Sequence, residues 1–291
     1  GAGFIGHHLA LRLKNIGAEP HVIDSLQVNN LGAFTRQAND KQNLLYVEFI
    51  HERLNLLHDC KIPLHVIDAR DYQLMSAAIS EISPDVIVHL AAVAHAGRAN
   101  KDPYGTFDHS FRTLENTLDI ARGRGSQFIY FSSSMVYGNF ELDEVDEDYP
   151  CEPVGIYGAL KYGGEKLVIA YQQVFDLPFT IIRPSALYGE RCVSRRVGQV
   201  FIENALAGQP LTVKGNGSDN LDFTYISDLT DGIILCMKNE RAYNEIFNLT
   251  YGQARSLQEM IEILGTQIPH LEVEYEPRDV LMPERGTLCV S

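Results

Sequence analysis

The sequence predicts an α/β fold: a doubly wound parallel sheet with a smaller, interwoven C-terminal unit. Three observations carry the prediction. Short apolar runs alternate with helix-length amphipathic segments as far as Arg183. A glycine-rich turn, Gly1-Ala2-Gly3-Phe4-Ile5-Gly6, leads straight into a helical pattern, and an acid, Asp24, closes the next apolar run. Strands separated by helix-length segments pair in parallel and are covered on both faces. With 291 residues, 45% of them hydrophobic, the chain can bury a large core.

The elements follow in order. His7 to Ile16 is apolar-periodic and stops at Gly17. His21 to Asp24 and Pro63 to Asp68 read as strands, as does Asp85 to Leu90 after the breaker Ser83-Pro84. Gln127 to Ser132 and Pro178 to Arg183 complete the series. Helical spacing falls at about 71–82, 104–124 and 156–176. Later the rhythm loosens: 194–208, 226–239 and 256–267 read as helices and Leu211 to Lys214 as extended. The stretch Glu141 to Glu152 holds seven acids and no base, and reads as a solvated loop. A dinucleotide-binding unit is expected over 1–183 and 216–250, and a substrate-binding unit over 184–215 and 251–291. A G-x-G-x-x-G turn requires a strand before it. None precedes Gly1 here, so the natural protein is expected to begin several residues earlier.

Composition excludes several classes. There are 38 acidic against 24 basic residues, a net charge of −14, which argues against nucleic-acid binding. No apolar run approaches the roughly 20 residues of a membrane span. Five scattered cysteines without ligand spacing point to a reducing, cytoplasmic setting and no metal site.

The glycine turn has a physical purpose. Glycines let the backbone approach a pyrophosphate, which the free N–H groups and dipole of the following helix stabilise. From Gly6 to Asp24 is 18 residues, close to the roughly 20 expected for the carboxylate that binds an adenosine ribose diol. The acid repels a 2′-phosphate, and neither Ser25 nor Leu26 offers a compensating cation, so NAD is favoured over NADP. The bland alternative is a strand-end Asp capping a turn.

Tyr157-Gly-Ala-Leu-Lys161 places a phenol and an ammonium on one helix face. It follows the hydroxyl-rich strand end Phe131-Ser132-Ser133-Ser134. A nearby cation lowers a phenol from a pKa near 10 toward the range of a usable base. His7 and His8 read as helix surface and packing, and His89 as core, with His95 close by.

These motifs together resemble the extended short-chain dehydrogenases/reductases, specifically the nucleotide-sugar epimerases and dehydratases, in their UDP-glucose 4-epimerase-like form. The resemblance spans almost the whole chain. It includes the Gly1–Gly6 turn, Asp68-Ala69, His89-Leu90-Ala91-Ala92, Ser132 to Gly138, Tyr157-x-x-x-Lys161, Ile182-Arg183-Pro184, Tyr188-Gly189, Asp222 to Asp228 and Pro277-Arg278. It implies a Rossmann-type fold and NAD held by Gly1, Gly3, Phe4, Ile5, Gly6, Asp24, Ser25, Asp68, Ala69, Leu90, Ala91, Ala92, Tyr157, Lys161 and Pro184. Catalysis falls to Ser133, Tyr157 and Lys161, with Ser132 and Ser134 as alternatives for the hydroxyl. Lys161 is expected to hold the nicotinamide ribose and tune Tyr157. Ser134 and Arg278 would contact the nucleotide-sugar, Arg278 at its diphosphate, and a homodimer is expected.

Departures from the family pattern are Leu221 in place of a phosphate-binding arginine, Ala186 in place of an asparagine, and Ser110 in place of another. Arg191, Arg195 and Arg196 could restore the charge lost at Leu221, or be ordinary surface residues. The expected reaction is C4 epimerisation of a UDP-hexose or UDP-uronic acid. A keto-sugar reductase or 4,6-dehydratase of the same family is the alternative, and a non-enzymatic NAD-binding protein the more distant one.

Overall fold

The computed structural model describes residues 1–34, 41–94, 96–278 and 283–289. His95 lies outside them. Four strands form a parallel sheet in the order Glu245–Phe247, Phe179–Ile182, Gln127–Phe131, Val86–His89. Val22–Ile23 and Leu64–His65 form a second parallel pair. All five expected strands are present, each shorter than expected, and Glu245–Phe247 joins them.

Helices cover both faces. One face buries Leu9, Ile129, Phe131, Ile182, Leu229 and Ile233, joining the helices Phe4–Asn15 and Ile226–Lys238 to the sheet. The other buries Leu114, Leu118, Phe128, Val168 and Ile181 beneath Thr113–Ala121 and Gly155–Phe175. Burying each such side chain is worth about 1.5–3 kcal/mol. Late segments build a separate cluster from Phe201, Ala205, Leu211, Val213, Leu257 and Ile261.

Three local expectations change. The helix expected over 104–124 is broken into Pro103–Phe107, a wide π-type turn Asp108–Arg112, and Thr113–Ala121. The acidic stretch is only partly a loop: Glu144–Val145 pairs with Thr287–Leu288, and the Glu147 carboxylate accepts from the Asn248 backbone N–H at 2.6 Å. A 19-residue helix, Lys41–Asp59, stands where no element was read. Its Tyr46, Ile50, Arg53 and Leu57 are all fully buried. Among the described residues no helix is long and apolar enough to cross a membrane, no cluster of metal-ligating side chains occurs, and the five cysteines are free.

Candidate active site

The glycine turn ends at Gly3, the N-cap of helix Phe4–Asn15, and no side chain caps that helix. A Cβ on Gly6 would lie 1.8 Å from the Gly1 carbonyl oxygen, so nothing larger fits there. At Gly3 the reverse holds: an added Cβ would meet nothing within 4 Å, leaving the space before the helix amides open. Asp24 borders the turn. Its carboxylate accepts from the backbone nitrogens of Ala2 at 2.8 Å, Gly1 at 2.9 Å and Leu26 at 2.7 Å. Tight backbone, open space at uncapped amides and a neighbouring acid fit a dinucleotide pyrophosphate with its ribose. Ser25 follows on the same loop, half-buried.

Residues assigned to the rest of the cofactor sit at or beyond strand ends. Asp68 is paired with Arg70, which also reaches Asp108, and the hydrogen bonds from Arg70 hold the Asp68 carboxyl below its usual range. The carbonyl of Ala69 accepts from Asn116 at 3.0 Å, and that of Ala91 from Thr113 at 3.2 Å. Leu90 packs against the inner core, and Ala92 is half-buried beside it. His89 is buried, as expected. Desolvation, followed by the nearby Lys161 charge, lowers its pKa to about 3, and its Nε2 has no partner among the described residues.

Strand Gln127–Phe131 delivers three serines to its carboxyl end, and the structure distinguishes them. Ser132 donates to Glu165 at 2.5 Å. Ser133 caps the short turn Ser134–Val136, where its Oγ accepts from Met135 N–H, and the same hydroxyl is among the groups that lower the Tyr157 phenol. Ser134 is tied through its backbone N–H to the Pro184 carbonyl at 3.0 Å. Of the three, Ser133 is the hydroxyl that acts on the phenol.

Beneath this turn lies a buried ion pair. Arg183 and Glu165 are 3% and 1% exposed and bonded at 2.8 and 2.9 Å. Arg183 also donates to the Tyr137 hydroxyl at 2.8 Å, which in turn donates to Asn248. One network thus ties the serine turn to helix Gly155–Phe175 and to the end of strand Glu245–Phe247.

Lys161 follows Tyr157 by one helical turn. Its ammonium donates to the Phe131 carbonyl at 2.6 Å and lies 5.2 Å from the centre of the Tyr130 ring. Burial lowers its pKa to about 8, with Glu165 working in the opposite direction. Burial raises the Tyr157 phenol, while Arg196, the Ser133 hydroxyl and Arg285 pull it down.

Arg285 was not foreseen. It donates to the Ser134 carbonyl at 2.6 Å and to Met135 Sδ, lies 5.5 Å from the Phe140 ring centre, and is lowered to about 10 by burial. The three candidate arginines also separate. Arg191 pairs with Glu52 and donates to His7, which is fully buried instead of lying on the helix surface. Arg195 is exposed near Glu203. Arg196 is half-buried, with its Nε out of solvent and unpartnered among the described residues. Arg278 is held by Asp219 at 3.0 Å, with Glu284 at 3.8 Å. Leu221 packs into the late-segment cluster.

Residues 1–250 match the model of the NAD dependent epimerase/dehydratase family. A provisionally named UDP-glucose 4-epimerase of Methanocaldococcus jannaschii is 27% identical over 273 residues, covering 92% of this chain and 80% of that protein. Among solved structures, the UDP-glucuronic acid 4-epimerase of Bacillus cereus, in complex with UDP-glucuronic acid and NAD, superposes with TM-score 0.85 at 23% identity, over 99% of this chain and 88% of that one. The dTDP-glucose 4,6-dehydratase of Streptomyces venezuelae gives 0.82 at 23%, over 99% and 86%.

Proposed function

The chain belongs to the NAD dependent epimerase/dehydratase family, with NAD as its cofactor, and from that premise we propose that it epimerises a nucleotide-sugar at C4. The observation that carries the reading is that Lys161, one turn after Tyr157 on helix Gly155–Phe175, is bonded to the Phe131 carbonyl at the strand end that delivers Ser133, which Ser134 and Met135 follow. Tyr157 takes the proton of the C4 hydroxyl while Ser133 hydrogen-bonds the same oxygen. NAD, held by the residues named below, would supply a hydride acceptor and donor for C4. Tyr157 gives its proton back as the C4 hydroxyl re-forms. Lys161 fixes the floor of the site through the Phe131 carbonyl and would hold the nicotinamide ribose. Gly1, Gly3, Phe4, Ile5 and Gly6 would hold the pyrophosphate, Asp24 and Ser25 the adenosine ribose, and Asp68, Ala69, Leu90, Ala91, Ala92 and Pro184 the rest of the cofactor. Ser134 and Arg278 would contact substrate, and residues 184–215 and 251–291 would form the substrate-binding unit.

A dehydratase or decarboxylase must run a further acid–base step after the same oxidation. In the dehydratase relatives this falls to an Asp and a Glu directly after the catalytic hydroxyl residue. Here those positions are Ser134 and Met135, which do not titrate near neutral pH. The test is mass spectrometry of UDP- and TDP-hexoses and UDP-uronic acids after incubation. Epimerisation leaves mass unchanged, whereas loss of water or CO₂ overturns the reading. We further propose a cytoplasmic homodimer. Light scattering at micromolar concentration tests the assembly, and a monomer would refute it.

A further inference from the structure

Gly3 caps helix Phe4–Asn15, and no side chain caps the helix amides, yet the Gly3 carbonyl is held twice. The His7 backbone N–H donates to it at 3.2 Å, and the His7 ring is bonded to it through Nδ1 at 2.9 Å. The other ring nitrogen, Nε2, accepts from Arg191 Nε at 3.1 Å. A guanidinium has no acceptor and a carbonyl has no proton, so the two bonds admit one state of the ring: neutral, with its proton on Nδ1. His7 is fully buried, and desolvation, reinforced by the neighbouring His8, lowers its pKa to about 2, in keeping with that state.

Arg191 is itself held. Its φ of 58° lies in the left-handed region, which is costly for a residue other than glycine. The fully buried Arg53 donates to the Arg191 carbonyl from Nε at 2.9 Å and from Nη2. Glu52 pairs with the Arg191 guanidinium at 3.1 Å. Both residues come from helix Lys41–Asp59, whose Leu57 shares a buried cluster with Ala2 of the glycine turn and Ala10 of the first helix.

Peptide geometry gives this relay a consequence. In a planar trans peptide the C=O and N–H point in opposite directions. A Gly3 carbonyl drawn down along the helix therefore turns the Phe4 N–H outward, into the open space where a Cβ on Gly3 would meet nothing within 4 Å. We propose that His7, fixed by Arg191, is a positioning residue that aims the Phe4 amide at the pyrophosphate of the cofactor. The inference rests on the assignment of that pyrophosphate to the glycine turn and adds to it a residue acting through Gly3. Glu52 supplies a control, because its side chain is 54% exposed and reaches Arg191 without touching the bond to His7.

The full chain, freed of copurified nucleotide, is titrated with NAD, ADP-ribose and adenosine, as wild type and as His7→Leu, His7→Asn, Arg191→Met and Glu52→Gln. His7→Leu should weaken NAD and ADP-ribose roughly fivefold or more, the scale of one misdirected hydrogen bond to a charged group. Adenosine, which has no phosphate, should change by less than about twofold. Asparagine can place an N–H where Nδ1 stands, so His7→Asn should recover most of the loss. Arg191→Met frees the ring to turn and should weaken the same two ligands, whereas Glu52→Gln should stay within about twofold of wild type. Binding of ADP-ribose by His7→Leu within about twofold of wild type overturns the proposal. An equal loss for adenosine overturns it too, since His7 would then be a general packing residue. If His7→Leu does not fold, undiminished ADP-ribose binding by Arg191→Met has the same force. Weaker ADP-ribose binding by His7→Leu, alongside no turnover of any sugar by wild type, would sustain this proposal and defeat the epimerase reading instead. A wild type that binds neither NAD nor ADP-ribose would defeat the assignment of the turn and this proposal with it.

Discussion

Replacing Lys161 by methionine removes a buried ammonium and leaves a side chain of similar length that cannot titrate. In the wild type, burial lowers the folded-state pKa to about 8 from an ordinary 10.5. At about 1.36 kcal/mol per unit, that gap makes the charged lysine cost the folded state about 3 kcal/mol at neutral pH. Because the folded pKa is the lower one, the unfolded chain holds more protons between pH 8 and 10.5. Wild-type stability therefore rises with pH across that window as the penalty is relieved. Between pH 7 and pH 10 the wild type should gain roughly 2–3 kcal/mol relative to Lys161→Met. The lost bond to the Phe131 carbonyl adds only a constant offset. Urea unfolding of both proteins at pH 7, 8, 9 and 10, without added cofactor, measures the difference directly. A stability difference that stays constant within about 0.5 kcal/mol over this range would show that Lys161 is not desolvated as described.

Tyr157→Phe should keep fold and NAD binding while losing roughly 10²–10⁴-fold in turnover, the scale of a proton-transfer contribution; near-full activity would mean another base acts. Asp24→Ala should narrow the preference for NAD over NADP, because it removes the carboxylate that would face a 2′-phosphate; tighter NADP binding by the unmodified protein contradicts the assignment. Arg183→Met should destabilise by about 3–5 kcal/mol, since it strands the buried Glu165 carboxylate. Chemical unfolding checks that value, and a loss below about 1 kcal/mol would place the pair outside the low-dielectric interior.

What the sequence revealed was local in origin. The strand-ending Asp24, the serine turn after Phe131 and the one-turn spacing of Tyr157 and Lys161 depend on neighbours along the chain or on strict periodicity. The breakdown of 104–124 was hidden because each fragment keeps helical spacing, while a π-type turn at Asp108–Arg112 resets the phase. Helix Lys41–Asp59 was legible in principle, through Tyr46, Ile50 and Leu57 on one face. Arg53 on that face speaks against burial, yet it is satisfied in part by the Arg191 carbonyl. Arg285 could not be placed by local reasoning, because its partner Ser134 is 151 residues away.

The central claim is that hydride leaves C4 of a nucleotide-sugar and returns to the same carbon on its other face, with Tyr157 moving the proton. The most direct measurement follows UDP-glucose and UDP-glucuronic acid carrying deuterium at C4 through the reaction by NMR and mass spectrometry. The account predicts, for whichever is the substrate, a C4-inverted product of unchanged mass with deuterium still on C4. Washout of the label to solvent, its accumulation in released reduced cofactor, or loss of water or CO₂ from the sugar would contradict it.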